Sequence, residues 1–349
     1  MITQFDAWLD PDGPVALTLT QALEPAFGQD STIFPPTFAP PEDRKDEKPS
    51  YVIDTNGTCL IDSLGAQANR LEPIFKKHAD LTPKFSVTVG DREVDLLDAG
   101  HRAADAVVRF SDQWSKLRDA FIAYRDRADA TPLAKIAPTS LVFGAWDSRD
   151  TGAKIPRLVE ATVRAYGVER LTRAAQYFAT LEKEDVESMD LSSLGQKTLS
   201  ELGISDSPAG RGPGGVVAKG GIRREALLNL VALRSVGVGN DVDATRKLQR
   251  YILGLSLVAL STSAELYLRQ GCLLVGSQAQ PATQQVVWRT GKRDTLELEQ
   301  AQVLGFARAA AAEFGVGPDI QATFDPKLVK GKADQKSEAK KAKAKTAKV

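Results

Sequence analysis

The stretch "YILGLSLVALSTSA", residues 251–264, limits what this chain can fold into more than any other. It is apolar around the whole circumference of a helix rather than along one stripe, so a helix built from it must be covered on all sides. At 14 residues it falls short of the roughly 20 needed to cross a bilayer, and Lys247 and Arg250 stand at its start. It therefore reads as a buried helix, which needs sheets or helices packed around it. A chain of 349 residues, 42% hydrophobic and 26% charged, can supply them.

The covering elements are legible as short β-prone runs between helical patterns. "YVIDTNGTCLI" (51–61) gives two runs around Asn56-Gly57, and "KFSVTVGDREVDLL" (84–97) gives two more around Gly90-Asp91. "TSLVFGAW" (139–146) and "GCLLV" (271–275) read as buried strands, and "IRREALLNLVALR" (222–234) as a strand or a helix. Asp62 or Ser63 can cap a helix through "LGAQANRLE", with Pro73 ending or kinking it. Further helices are expected over 100–127, from Pro156 to Tyr166, over 245–264 and over 294–314. Strands and helices without regular βα alternation indicate an α+β fold.

Three divisions follow from composition. Residues 1–49 form an N-terminal segment ending in a connector, since 34–49 hold five prolines and a charge cluster. Residues 50–326 are the main domain, with a helical insertion at 81–135 and a flexible segment at 181–221, where 210–221 contain six glycines. Residues 327–349 are a Lys/Ala tail expected to be disordered, with seven lysines in 331–349. The two cysteines, Cys59 and Cys272, lie in apolar runs and read as small buried hydrophobes in a reducing compartment. The start "MITQFDAWLD" has no charged segment leading into an apolar one, so the expected location is cytoplasmic.

Catalysis lacks its usual parts. The two histidines, His78 and His101, have no cysteine or carboxylate neighbours at metal-ligand spacing, and no nucleophile or zinc motif occurs. "GVVAKGG" is not spaced as a phosphate-binding loop, and "DAWLDPDG" lacks the last ligand of a calcium loop. No catalytic residue, metal or cofactor is expected, although Asp147 and Asp150 could serve a metal. Lys+Arg and Asp+Glu are both 45, so any basic surface must be local. One such surface is "LVFGAWDSRDTGAKIPRLV" (141–159), where Arg149 precedes an expected helix and Lys154 and Arg157 lie at its N-terminal end, which would seat phosphate. Another is 208–234, with five cations, Lys219, Arg223 and Arg224 among them, against Glu225. Gln67, Asn69 and Arg70 form a third cluster, and Arg173 in "LTRAAQY" (171–177), near Tyr177, a fourth. The plain alternatives are a solvated charged face for the first, a flexible linker for the second and structural polar contacts for the third, which its pattern favours.

Taken in order, "CLIDSLGAQANRLEPIF", "SLVFGAWDSRDTGAKIPRLV", "LTRAAQY", "GGIRREALLNLVALR" and "ELYLRQGCLLV" resemble the backbone subunit of the type I-G (formerly I-U) CRISPR interference complex, Cascade, a branch of the RAMP superfamily. The resemblance spans about residues 50 to 276 and fades on either side. It implies an RRM-like (ferredoxin-like) palm with helical insertions and a protruding thumb, for which 181–221 is the candidate. It also implies partners: a CRISPR RNA (crRNA) held by its phosphates, target DNA reached through that RNA, further copies of the chain stacked head to tail, and the large and repeat-processing subunits of Cascade. Membranes are not among them. The RNA reads sequence while the protein recognises backbone and shape. Gln67, Asn69, Arg70, Arg149, Lys154, Arg157, Arg173, Lys219, Arg223 and Arg224 are then the RNA-binding candidates. Two other readings stay open: a metal-dependent RAMP nuclease using Asp147, Asp150 and another carboxylate, and a protein scaffold that binds no nucleic acid.

Overall fold

The computed structural model describes residues 2–45, 48–262 and 265–334. Its centre is an eight-stranded antiparallel sheet. The strands are β1 (Ala16–Pro25), β2 (Cys59–Asp62), β3 (Val159–Ala165), β4 (Ile222–Asn229), β5 (Tyr267–Arg269), β6 (Cys272–Gly276), β7 (Thr283–Val287) and β8 (Arg293–Thr295). They run β2–β3–β4–β1 across the sheet. The far edge of β1 is divided, with β7 pairing Ala16–Thr20 and β6 pairing Leu23–Pro25. The first strand thus comes from the segment that composition sets apart, and it lies in the middle of the sheet.

Four helices matter for the core: α1 (Leu64–Leu71), α2 (Trp114–Arg127), α3 (Val242–Ser261) and α4 (Gln300–Phe314). In α3 every residue from Tyr251 to Leu260 is buried. Its polar members are satisfied in place, Tyr251 donating to the Leu81 carbonyl and Ser256 to the Ile252 carbonyl, both at 2.7 Å. Asp241 starts the helix by accepting from the Ala244 N–H at 2.9 Å, as Ser63 does for α1 from Ala66 at 3.3 Å. Ala68 and Leu71 of α1, the α3 apolar residues, and Val159, Ala161, Ala226 and Leu228 of the sheet share one core. Both helices therefore cover the same face. Each fully buried Leu or Val there stabilises the fold by roughly 1.5–3 kcal/mol. A second cluster lies under the far half of the sheet and holds both free cysteines. Burial pushes each thiol up to about 11.

Several expectations are corrected. The helix expected after Pro156 is strand β3, paired Val159↔Leu228 through Ala165↔Ile222 with β4. Val159, Ala161, Val163 and Ala165 are all buried. Residues at i, i+4 and i+8 also fit a period of two, and an available strand edge decided between them. "TSLVFGAW" is a buried helix, Thr139–Phe143, then a two-residue strand, Ala145–Trp146. The two strands expected around Gly90-Asp91 do form a hairpin, Phe85–Val89 with Arg92–Asp95, joined in parallel by Ile320–Thr323, so the 81–135 insertion is not all helical. The glycine-rich segment is no loose loop: Ser207–Ala218 pairs with Val168–Tyr177 in a long hairpin between β3 and β4. Residues 326–334 are helical where the disordered tail was expected to begin; its remainder, 335–349, lies outside the described residues.

Gly254 tests the α3–α4 contact. A Cβ there would stand 2.8 Å from the Ala307 Cα, so Gly254→Val should force the helices apart. That overpacking costs about 1–3 kcal/mol and exceeds the few tenths that Val gains over Gly in helix propensity. Urea unfolding is expected to show a net loss of about 2 kcal/mol.

Candidate nucleic-acid interface

The alternation that buries one side of each central strand exposes the other. In β4, Arg223, Glu225 and Leu227 face away from the core, and β3 turns Glu160, Thr162 and Arg164 the same way. Arg223 lies directly across from Arg164. A shallow groove of about 420 Å³ runs over this face, lined by Thr18, Thr20, Arg164, Glu225, Leu227 and Arg293 among others. The Arg223 guanidinium stands 4.0 Å from the Tyr166 ring centroid. Glu225 accepts from Arg164 at 3.4 Å and from the Tyr166 hydroxyl at 3.3 Å. At the hairpin base, Lys219 is exposed and paired with Asp30 at 3.2 Å.

The groove leads to a second depression through the first turn of α1. Leu64 lines the groove and Gly65 the cleft beyond it. That cleft, about 520 Å³, is bounded by Asn69, Arg102, Trp146, Lys154 and Arg157 together with residues 143–145. Gly144 makes it possible: at φ 78°, it brings the chain so close that a Cβ would stand 3.1 Å from the Arg157 nitrogen. Arg157 Nε then donates to the Phe143 carbonyl at 2.9 Å. Arg102 is buried at the rear, 2.7 Å from Glu72 Oε2, and donates to Asn69 Oδ1 at 3.2 Å. Its φ of 53° is a left-handed conformation that costs a non-glycine residue roughly 1–2 kcal/mol. Burial pushes Glu72 up to about 7, against the opposing pull of Arg102.

The loop at the mouth of this cleft is tightly held. Asp147, fully buried, accepts from the Thr151 N–H and hydroxyl, both at 2.7 Å, and from Arg109 at 3.0 Å. Burial would raise its carboxyl, but the Thr151 hydrogen bonds and the Arg109 charge outweigh it and hold the group below the usual range. Asp150 accepts from Trp114 Nε1 at 3.1 Å, and Arg125 reaches the Thr151 carbonyl. Asp147, the carboxylate of the nuclease reading, is thus engaged in holding the loop. Among the described residues, no three His, Cys, Asp or Glu side chains are grouped as metal ligands.

The ten sequence candidates separate by burial. Lys154, Arg157 and Asn69 meet at the cleft, and Arg223 and Lys219 share one end of the sheet. Arg149 is exposed in the loop. Arg173, on the hairpin, lies 5.6 Å from the Phe34 ring centroid. Gln67 and Arg224, by contrast, are about 2% exposed and face inward; Arg224 Nε donates to Gln67 Oε1 at 3.1 Å. Arg70 is spent on Asp62 at 3.0 Å and on the carbonyls of Tyr267 and Leu268. The expected phosphate seat at a helix N-terminus near Lys154 does not form, because that chain is extended. Arg164, Tyr166, Arg102 and Trp146 were missed. Period-two reading of "VEATVRA" would have turned Arg164 outward.

Residues 17–170 match the family model described as CRISPR-associated protein GSU0053. No curated protein matches the sequence. A solved chain titled "CRISPR RNA-guided surveillance complex, pre-nicking" is similar over 86% of both chains, at 13% identity and TM-score 0.34. The matched stretch begins inside β1 and ends at residue 170, in the strand Val168–Tyr177. No helix among the described residues is long and apolar enough to cross a membrane.

Two outcomes are expected from this geometry. Glu72 has a raised folded pKa, so its contribution to stability is complete below about pH 4.5 and is lost as pH rises through about 7. Relative to Glu72→Gln, the wild type should lose about 2–3 kcal/mol between pH 4.5 and 8, read from urea midpoints. Asp62→Ala leaves Arg70 and Arg269 without their carboxylate and should cost about 3–5 kcal/mol, measured in the same way.

Proposed function

We propose that this chain is the backbone subunit of a type I-G, Cascade-type CRISPR effector, with an RRM-like palm whose uncovered face holds the phosphates of the crRNA. The observation that carries this reading is the set of cations lining three open depressions: Lys219 and Arg223 at one end of the sheet, Arg164 in the groove, and Lys154 and Arg157 at the cleft. Strand order supports the palm. Taking β3, β4, β1 and the β6/β7 edge, with α1 preceding β3 and α3 preceding β6, gives the 2-3-1-4 antiparallel order of a ferredoxin-like sheet. The long hairpin between β3 and β4 is the candidate thumb. The match to a CRISPR-associated family supplies the biological setting.

Arginine and lysine on a flat sheet face hold phosphates without reading bases, leaving the bases free to pair with target DNA. Copies stacked head to tail would carry that surface along the spacer, with the large and repeat-processing subunits at the ends. The role assigned to this chain is binding and presentation, without a catalytic step.

The test is co-expression with a CRISPR array and companion genes, followed by sequencing of the RNA that co-purifies. Uniform repeat-spacer RNA is expected with the wild type, and its absence overturns the proposal. In parallel, Arg164→Ala/Lys219→Ala/Arg223→Ala should weaken binding to single-stranded RNA. It should also flatten the slope of log K against log salt by about 2, since each lost phosphate contact removes roughly 0.7.

A further inference from the structure

Trp146 is 62% exposed, among the most exposed large apolar side chains of the molecule. Its position is not that of a stray surface residue. Trp146 pairs across a two-residue ladder with Lys154, whose Nζ lies 5.7 Å from the indole centroid. The loop between them is the one held by Asp147, Thr151, Arg109, Arg125 and Trp114. A buried ion pair and a set of hydrogen bonds therefore fix the backbone beneath a side chain that buries little of itself. Behind the indole opens the 520 Å³ cleft, within the size range of small-molecule sites. Lys154, Arg157 and the Asn69 amide, whose oxygen is already taken by Arg102, present donors to it, and His101 and Ser148 also line it.

An exposed aromatic plane beside two cations and an amide donor, at the mouth of a cleft, matches the two chemical halves of a nucleotide. Base–aromatic stacking is tolerant of sequence because every base has a π-face, and the cations suit a phosphate. We propose that the Trp146 cleft is a single-nucleotide site, in which one base of a bound single-stranded RNA stacks on the Trp146 indole while Lys154 and Arg157 hold its phosphate and Asn69 donates to it. This rests on the RNA-binding reading above and adds a base contact to a surface otherwise built for backbone.

The experiment uses the purified full chain with a 30-nucleotide oligouridylate, and with a fully abasic ribose-phosphate strand of the same length. Binding is followed by tryptophan fluorescence and by filter retention. The other three tryptophans, Trp8, Trp114 and Trp288, are packed against the core, so quenching should report Trp146. Quenching of the wild type by oligouridylate is expected, with affinity reduced about tenfold in Trp146→Ala and nearly restored in Trp146→Phe. The abasic RNA should bind wild type and Trp146→Ala alike. Equal affinity of wild type and Trp146→Ala for oligouridylate, without quenching, overturns the nucleotide site and leaves the phosphate-binding surface standing. Failure of the wild type to bind either RNA overturns both.

Discussion

The sheet depends on one buried carboxylate. Asp62 ends β2, on the outer edge of the sheet, and accepts from Gln67 at 2.7 Å, from Arg70 at 3.0 Å and from Arg269 of β5 at 3.1 Å. β2 and β5 occupy opposite ends of the strand order, so these bonds require the sheet to curl until its two edges meet on the helix-covered side. Gln67 passes the network to Arg224 of β4. A buried charge is tolerable only when its partners are in place, so the curl, the seat of α1 and the register of β4 are set together. Curling one face closed around α1 and α3 leaves the other face open, and that is where the exposed cations lie.

The same logic explains why a neutral chain can carry a basic surface. Many arginines are used internally: Arg70, Arg224 and Arg269 around Asp62, Arg102 on Glu72, Arg109 on Asp147, and Arg250 on Asp6 and Glu313. Cations on the open face and at the cleft are held more lightly, by exposed pairs such as Arg164–Glu225 and Lys219–Asp30 or, for Arg157, by the Phe143 carbonyl. Exposed pairs contribute roughly 0–1 kcal/mol, so a phosphate can displace them at little cost. Charge counting along the chain does not separate these two populations; burial does.

Two regions show how function and stability are divided. Around Asp147 the protein invests desolvated charge in a loop whose outward residues, Trp146, Arg149 and Lys154, contribute almost nothing to the core. Around Arg102 it accepts a left-handed residue and a carboxyl raised to about 7 in order to place an arginine behind Asn69. Strain of this kind persists where surrounding structure over-determines it, and both instances border the same cleft.

The amino-acid sequence by itself determined what depends on local chemistry. The all-apolar segment had to be a buried helix, Asp62 or Ser63 could cap α1, Asn56-Gly57 and Gly90-Asp91 had to turn, and both cysteines had to be buried. It also marked Lys154, Arg157, Lys219 and Arg223, which remain at the surface. Only the tertiary structure decided the rest. Residues 159–165 fit a helix and a strand equally until the edge of β4 offered hydrogen bonds. Gln67, Arg70 and Arg224 look as polar as Lys154 until the sheet curls and takes them inside. β1 carries no sign in its own residues that it sits at the centre, because a strand's place in a sheet is fixed by partners some 200 or more residues away along the chain. What local physics fixes can be read from neighbours in sequence; what packing fixes depends on neighbours in space.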